Sequence, residues 1–237
     1  MPDSETHGSG INGAATSGRH CVLLFGGSFD PVHNGHVVLA RLFMQIFDAD
    51  LLRLIPAGNP WQKPVLQASA ADRSEMLRLA FADQAMPFMI DQQEIERNGP
   101  SYSIDTVQAI RSKLGNEVCL IFIIGADQLV QLDSWYQWKE LFDYVHLGVA
   151  ARPGATLDMQ HISPAVATEF SQRHGSREQV LASAHGLIYL LSDLAIDISS
   201  TAIRIALQTT IRSAPAAVPE LPSAVLDYIQ YHHLYQN

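Results

Sequence analysis

The stretch Leu23–His36 reads LLFGGSFDPVHNGH, and it joins a short apolar run to two histidines. The apolar residues Cys21–Phe25 are typical of a strand that is buried on both faces of a parallel sheet. Gly26–Gly27 are predicted to end that strand and to let a ligand approach the main-chain N–H groups. A helix that begins near Asn34 or Gly35 would direct its free N–H groups at the same place. The stretch therefore predicts an anion site, and phosphate is the anion that such sites commonly bind.

The composition favours a folded domain that binds small ligands. The chain has 237 residues, of which 47% are apolar and 16% are charged, and this supports a substantial core. Its formal net charge of -9 disfavours nucleic acid as a partner, so small phosphorylated ligands fit better. The longest apolar run, about 118–126, is far shorter than the roughly 18 residues of a membrane span, so no membrane association is expected.

The N-terminal segment and the cysteines indicate a cytoplasmic protein. Residues 1–19 are rich in Gly, Ser, Thr and Ala and have no signal-peptide apolar segment, so we expect a flexible leader. Cys21 and Cys119 both lie in predicted strands, where free cysteine behaves as a small core residue. A disulfide framework is not expected, and no Cys/His spacing typical of a metal site occurs in the sequence.

Strands and helices alternate along the rest of the chain. This alternation predicts an α/β fold with a doubly wound, Rossmann-like parallel sheet in a single domain, 20–237, that ends in C-terminal helices. Residues 155–186 are more polar and irregular, and we expect a surface excursion there. The predicted strands are 21–25, 51–55, 87–90, 118–124, 144–150 and 187–191. The predicted helices are 35–47, 72–82, 103–113 with Ser103 as N-cap, one opening at 198–204, and 221–235.

Two further segments carry polar groups at predicted ligand-facing positions. Asp127 follows the most apolar strand, at the edge where open α/β sheets bind ligands, although it could instead cap a helix. Ser199, Ser200 and Thr201 open a later helix, with Arg204 one turn on. Hydroxyls at such a position serve either as N-caps or as phosphate ligands.

These segments resemble the HxGH nucleotidyltransferase superfamily, on the motif GGSFDPVHNGH at 26–36 and ISSTAIR at 198–204. Within it, GPSYSIDT at 99–106, IGAD at 124–127 with Trp135 and Trp138, and the C-terminal LP to LY at 221–235 resemble bacterial nicotinate mononucleotide adenylyltransferases. The resemblance begins near residue 21 and continues to the C-terminus, apart from most of 155–186.

The resemblance implies adenylyl transfer from ATP to nicotinate mononucleotide, with Mg²⁺ accompanying ATP. It implies that His33 and His36 are the principal catalytic pair and that Arg204 acts with them. The attacking group is a phosphate monoester with a second pKa of about 6, so it is mostly dianionic at neutral pH and needs no general base. The ATP-binding residues that the resemblance implies are Gly26, Gly27, Ser28, Phe29, Gly35, Gly125, Asp127, Ser199, Ser200 and Thr201.

The implied acceptor site includes Trp135, which stacks on the nicotinate ring, together with Tyr102, Thr106 and Lys63. Trp138 is expected to be structural. The family usually has Pro-His-Lys where this chain has Trp61-Gln62-Lys63, so Lys63 corresponds only in part. Backbone N–H groups near 102–106 are expected to select the carboxylate over the amide.

Other functions remain open at this point. Another acceptor, such as nicotinamide mononucleotide, phosphopantetheine or a small alcohol phosphate with CTP, would use the same phosphate-binding elements. A regulatory module that binds nucleotide without turnover is a further alternative, although both histidines and Arg204 are intact. The sequence also leaves open whether the chain forms a homo-oligomer.

Overall fold

A parallel sheet organises the molecule. The computed structural model describes residues 19–60, 66–151, 162–192, 198–210 and 218–236, and within these ranges six strands form one sheet in the order β3-β2-β1-β4-β5-β6. Every neighbouring pair of strands is parallel. The strands are β1 (Cys21–Gly27), β2 (Leu51–Pro56), β3 (Phe88–Ile90), β4 (Cys119–Gly125), β5 (His146–Ala150) and β6 (Ile188–Leu191). The predicted doubly wound α/β fold is confirmed.

Helices connect the strands and cover both faces of the sheet. Short 3₁₀ turns occur at Leu132–Ser134 and Trp138–Asp143. The helices are α1 (Asn34–Phe47), α2 (Ala70–Phe81), α3 (Gln93–Glu96), α4 (Ser103–Leu114), α5 (Ala126–Val130), α6 (Pro164–Arg173), α7 (Arg177–Ala182), α8 (Ser200–Thr210) and α9 (Ser223–Tyr231). None of the helices in the described ranges is long and apolar enough to cross a membrane.

Each face of the sheet has its own apolar core, because successive strand residues point to opposite sides. On one face, Leu23 packs in a cluster with Phe43 of α1. On the other face, Leu24 belongs to a cluster with Val107 of α4. All four side chains are fully buried, which explains why β1 is continuously apolar.

Most element boundaries differ from the prediction by one or two residues, and three differences affect the interpretation. β1 continues through Gly26 and Gly27, which pair with the end of β2, so the predicted end at Phe25 is two residues too early. α4 begins at Ser103 and Tyr102 occupies the N-cap position, so the prediction of Ser103 as N-cap is wrong. The terminal helix is shorter than 221–235, because the backbone of its last residues leaves the helix.

The described part of the predicted surface excursion, 162–186, is the crossover between β5 and β6. It forms α6 and α7, whose N-cap residues Ser163 and Ser176 accept hydrogen bonds from the first turns. Val166 and Val180 are fully or almost fully buried, and each contributes to one of the two cores. This part of the chain therefore covers the sheet as well as forming surface.

The amino edge of the sheet brings the two cysteines together. Cys21 and Cys119 are in register on β1 and β4, and both are free and buried, as predicted. The hydrogen bond with Cys119, together with burial, raises the pKa of the Cys21 thiol, so it stays protonated. Arg19, the last residue of the predicted leader, donates to the Glu117 carbonyl at 2.7 Å.

A buried arginine joins the loops at this same edge. Arg111 of α4 is 5% exposed, and its guanidinium faces main-chain carbonyls. Those carbonyls belong to Gly115 at 2.9 Å, Val118 at 2.7 Å, Tyr144 at 3.0 Å and 2.5 Å, and Ala184 at 2.9 Å. Burial lowers the pKa of Arg111, but arginine keeps its charge at neutral pH. The side chain thus fixes the connections that precede β4, β5 and β6.

Candidate active site

The phosphate loop, residues 26–36, lies between the carboxyl end of β1 and the first turn of α1. The strand order reverses between β1 and β4, and ligands bind beside such a reversal in open α/β sheets. A Cβ atom at Gly27 would lie 3.1 Å from the ring of Phe29, which is closer than side chains normally pack. The absence of a side chain at 27 therefore lets the loop fold tightly over the strand end.

Phe29 supports the loop from the core side. Its side chain is 1% exposed, and its φ of 50° lies in the left-handed region that non-glycine residues seldom occupy. Its ring packs edge-on against Phe25 and against His36, with ring centroids 5.5 Å and 5.1 Å apart. The side chain that the resemblance assigned to ATP binding thus packs behind His36 instead of facing a ligand.

The two motif histidines form a stacked pair at the start of α1. Their ring centroids are 3.7 Å apart, and the planes are inclined by 27°. His33 is the N-cap residue, and its backbone N–H donates to Nδ1 of His36 at 3.2 Å. Because Nδ1 accepts that bond, the neutral ring of His36 carries its proton on Nε2. His36 is therefore arranged to donate a hydrogen bond to an oxygen and not to remove a proton.

Asp30 joins the phosphate loop to distant parts of the chain, and it was not among the predicted site residues. Its carboxylate is 4% exposed and accepts from the backbone N–H groups of Gln67 at 2.8 Å and Ala68 at 3.0 Å. It also accepts from the hydroxyl of Tyr235 at 2.7 Å. The sequence signal that could have identified Asp30 is its charge within the otherwise apolar run from Phe29 to Val32.

Arg73 of α2 is a second buried residue behind the loop. It is 1% exposed and donates to the Ser28 carbonyl at 2.9 Å. Burial lowers the pKa of Arg73, while the nearby Asp30 carboxylate partly offsets this effect. The main chain at Ser28 is thereby held by a buried positive charge.

The first turn of α8 contacts the phosphate loop, so the structure brings the two predicted phosphate elements together. Ser200 donates from its hydroxyl to the Pro31 carbonyl at 3.1 Å, and Arg204 donates to the Asp30 carbonyl at 2.7 Å. Arg204 also donates to the Thr201 hydroxyl at 3.2 Å. The Ser199 hydroxyl accepts a long bond of 3.5 Å from the Ala202 N–H, so Ser199 acts as a helix cap in this structure.

Gly125 and Asp127 lie at the carboxyl end of β4, next to the phosphate loop strand. Gly125 is the N-cap residue of α5, and a Cβ atom there would collide with the Asp127 carboxylate. Asp127 is exposed and accepts from the Gln128 side chain at 2.9 Å. Its carboxylate thus lies at the sheet edge, in reach of a ligand.

The two predicted tryptophans, Trp135 and Trp138, lie at or beside the 3₁₀ turns. Trp135 lies in extended backbone between the two 3₁₀ turns, and Trp138 begins the second, so they do not share a helix face. Trp135 is half-buried and packs edge-on against Phe122 of β4, with centroids 6.3 Å apart. Its indole N–H is buried and has no hydrogen-bond partner among the described residues.

Tyr102 and Thr106 have different surroundings. Tyr102 is half-buried, and its ring lies 4.7 Å from that of Tyr136, an exposed aromatic that was not among the predicted site residues. Thr106 is fully buried and donates its hydroxyl to Glu94 at 2.8 Å. The Thr106 side chain therefore does not face a ligand, since its position on α4 turns it towards α3. Lys63 lies outside the described residues.

Glu94 supports the turn at 101–106 and gives the fold a pH dependence. Burial raises the pKa of Glu94, and the Thr106 hydrogen bond and the Arg97 charge offset this only in part. Because the pKa of Glu94 is raised in the folded state, its protonated form contributes fully to the free energy of unfolding below the ordinary pKa of 4.5. This contribution is lost as the pH rises through the folded-state pKa.

Glu94→Gln is expected to remove this decline, because the amide oxygen still accepts from Thr106 but carries no charge. The melting temperature of the variant relative to wild type should be higher at pH 8 than at pH 4, as measured by calorimetry. Glu96→Gln, an exposed position on the same helix, provides the control. An identical difference at both pH values would contradict the buried-charge explanation.

No group of three or more His, Cys, Asp or Glu side chains that could hold a metal ion occurs among the described residues. A divalent ion at this site would therefore take its ligands largely from phosphate oxygens and water, as Mg²⁺ commonly does.

Comparisons with known proteins identify similar sequences over most of the chain. A family model described as cytidylyltransferase-like matches residues 24–206. The probable nicotinate-nucleotide adenylyltransferase of Herminiimonas arsenicoxydans is 52% identical over 217 residues, covering 92% of this chain and 97% of the relative. That of Laribacter hongkongensis is 42% identical over 219 residues, covering 92% and 96%.

Solved structures show a related fold at low sequence identity. Plasmodium falciparum nicotinic acid mononucleotide adenylyltransferase complexed with NaAD superposes with a TM-score of 0.67 at 15% identity. The match covers 91% of this chain and 97% of the Plasmodium chain. The arrangement of strands and helices is thus shared over almost the whole of both chains.

Proposed function

Because the chain belongs to the nicotinate-nucleotide adenylyltransferase family, we propose that it joins ATP to nicotinate mononucleotide and releases pyrophosphate and deamido-NAD. This reaction is a step of NAD biosynthesis. One observation supports the assignment of the site above all: Ser200 and Arg204 of α8 donate hydrogen bonds to the loop that holds the stacked histidines. Two elements suited to phosphate therefore meet at one edge of the sheet.

The phosphate of nicotinate mononucleotide is the nucleophile in this proposal. One of its oxygens bonds to the α-phosphorus of ATP, and the bond from that phosphorus to the bridging oxygen breaks, so pyrophosphate leaves with the electron pair. A dianionic phosphate needs no base. His36, whose Nδ1 is already occupied, donates from Nε2 to an α-phosphate oxygen, and the adjacent His33 assists it.

The first turn of α8 binds the departing phosphates. The main-chain N–H groups at the start of this helix and the hydroxyls of Ser199, Ser200 and Thr201 are suited to the β- and γ-phosphates. Arg204 uses two donors within the protein, at 2.7 Å and 3.2 Å, and its remaining N–H groups are assigned to phosphate oxygens. The glycines of the phosphate loop and Ser28 complete the ATP site.

The acceptor occupies the side of the sheet near β4. Asp127 and the main chain at Gly125 are assigned to the ribose hydroxyls of the neighbouring ATP, and Trp135 to stacking on the nicotinate ring of the acceptor. Tyr102 borders the ring, and the first-turn N–H groups of α4 are assigned to its carboxylate. Thr106 contributes through its backbone position alone, because its hydroxyl is bound to Glu94. Lys63 is proposed as a further positive charge.

Mg²⁺ is proposed to bind with ATP, held by phosphate oxygens, where it would neutralise charge on the departing pyrophosphate. We further propose that the protein acts in the cytoplasm, where both nucleotide substrates are available. Neither statement requires a metal-binding cluster or a membrane segment in the chain.

The acceptor preference tests this function. Purified protein is incubated with ATP, Mg²⁺ and one acceptor at a time, and pyrophosphate release is measured. We expect nicotinate mononucleotide to exceed nicotinamide mononucleotide and phosphopantetheine in kcat/KM by at least tenfold. Release with another acceptor alone, or with CTP in place of ATP, would reassign the substrate. Nucleotide binding without release for any acceptor would favour the regulatory alternative.

A further inference from the structure

The last residues of the chain reach back to the phosphate loop. After α9 the backbone reverses, and His233 and Tyr235 adopt left-handed φ angles of 54° and 62°. Non-glycine residues adopt such angles at a cost, so they persist where the surrounding contacts fix them. In this case the Tyr235 ring makes the contacts that fix the backbone. It is 6% exposed and belongs to the core cluster that includes residues of α1 and α2.

The hydroxyl of Tyr235 donates to Oδ1 of Asp30 at 2.7 Å. Burial and the adjacent Asp30 carboxylate raise the pKa of Tyr235, so the phenol remains a donor at every working pH. A hydrogen bond from a buried donor to a carboxylate is stronger than one between neutral groups. The C-terminus is thus tied to the phosphate loop across the interior of the protein.

Asp30 passes this restraint to both phosphate elements. Its carbonyl accepts from Arg204 at 2.7 Å, and it lies three residues before His33 on the phosphate loop. Its carboxylate also holds the backbone at Gln67 and Ala68, immediately after the segment that contains Lys63. A displacement of Asp30 would therefore disturb both the phosphate loop and the hydrogen bond to Arg204.

We propose that Tyr235 is a positioning residue for adenylyl transfer, acting through Asp30 to align the His33 and His36 pair with Arg204. This inference rests on the proposed function. Tyr235 is buried in the core, so in this proposal it acts through the Asp30 carboxylate and not by contact with substrate. Alignment within a fraction of an ångström decides how well fixed donors stabilise a transition state, so loosening Asp30 lowers kcat.

The chain provides a matched control for this role. Tyr228 of α9 donates to Oδ1 of Asp72 at 3.0 Å, so it too forms a tyrosine–aspartate hydrogen bond from the C-terminal segment. That bond joins α9 to α2 and has no contact with the phosphate loop. Tyr235→Phe and Tyr228→Phe each remove one hydroxyl while keeping the ring, so both are expected to lower the melting temperature.

The two variants differ in the rate of catalysis. Steady-state kinetics are measured at 25 °C, well below both melting temperatures, with ATP and nicotinate mononucleotide. We expect Tyr235→Phe to lower kcat about tenfold and to change the KM for ATP less than about threefold, because alignment and not binding is lost. Tyr228→Phe should keep kcat within about twofold of wild type.

Asp30→Asn supplies a second route to the same conclusion. If Tyr235 acts through Asp30, combining Tyr235→Phe with Asp30→Asn should cost little more than Asp30→Asn alone. A Tyr235→Phe protein with wild-type kcat and only a lower melting temperature would overturn the positioning role while leaving the proposed function intact. A wild-type protein without pyrophosphate release for any acceptor would overturn the proposed function itself.

Discussion

His36→Ala is expected to reduce kcat about 100- to 1,000-fold, the usual cost of losing a fixed donor to a developing oxyanion. The Nε2–H of His36 is the donor at the proposed site of attack, and alanine leaves no group in its place. KM values for both substrates should change much less, since the interaction is strongest in the transition state. Steady-state pyrophosphate release measures the effect.

Stability separates this role from a structural one. His36 is only half-buried, and the variant loses one backbone hydrogen bond to Nδ1 and the ring contacts with His33 and Phe29, so we expect a loss of about 1 kcal/mol in unfolding free energy. His174→Ala, at an exposed position after α6, controls for loss of a histidine as such. If His36→Ala lost stability in proportion to activity, the histidine would be a structural residue.

Arg111→Met is expected to cause the largest loss of stability, about 3 to 5 kcal/mol in unfolding free energy. The methionine fills much of the space, but four partly buried carbonyl groups would lose their charged donor, namely those of Gly115, Val118, Tyr144 and Ala184. Each buried acceptor left unsatisfied costs about 1 to 3 kcal/mol, and partial rehydration reduces the sum. Denaturant unfolding monitored by circular dichroism measures it.

Two controls frame the Arg111 result. Arg111→Lys keeps the charge but has a single ammonium in place of the planar fork, so it should recover only part of the loss. Arg78→Met replaces an exposed arginine of α2, which pairs with Glu75 of that helix. This change should leave the unfolding midpoint nearly unchanged. A loss below about 1 kcal/mol for Arg111→Met would show that the carbonyls find other donors.

The sequence predicted the sheet well because its signals are local. The continuous apolar run at β1, the following glycines and the amphipathic α1 each depend on residues within one or two turns of one another. Boundaries shifted where a neighbouring strand decided them, as at Gly26 and Gly27, which remain in β1 because β2 continues beside them. The residues around Gly26 and Gly27 do not indicate this pairing, because it depends on a strand that lies elsewhere in the sequence.

The site was predictable only in its motif residues. Asp30 and Tyr235 are 205 positions apart, so their hydrogen bond left no pattern in either segment. Thr106 was assigned to the substrate from its place in a motif, yet its hydroxyl is turned towards Glu94 because α3 packs against that face of α4. The contacts that support the phosphate loop come from α2, α8 and the C-terminus, and only the folded chain brings these together.

The central claim is that this site transfers the adenylyl group, and the fate of the α-phosphorus tests it most directly. The protein is incubated with Mg²⁺, nicotinate mononucleotide and ATP labelled at the α-phosphorus, and the products are separated. We predict one labelled deamido-NAD for each unlabelled pyrophosphate released. Label that stays in ATP, or that appears as AMP without dinucleotide, would contradict the account.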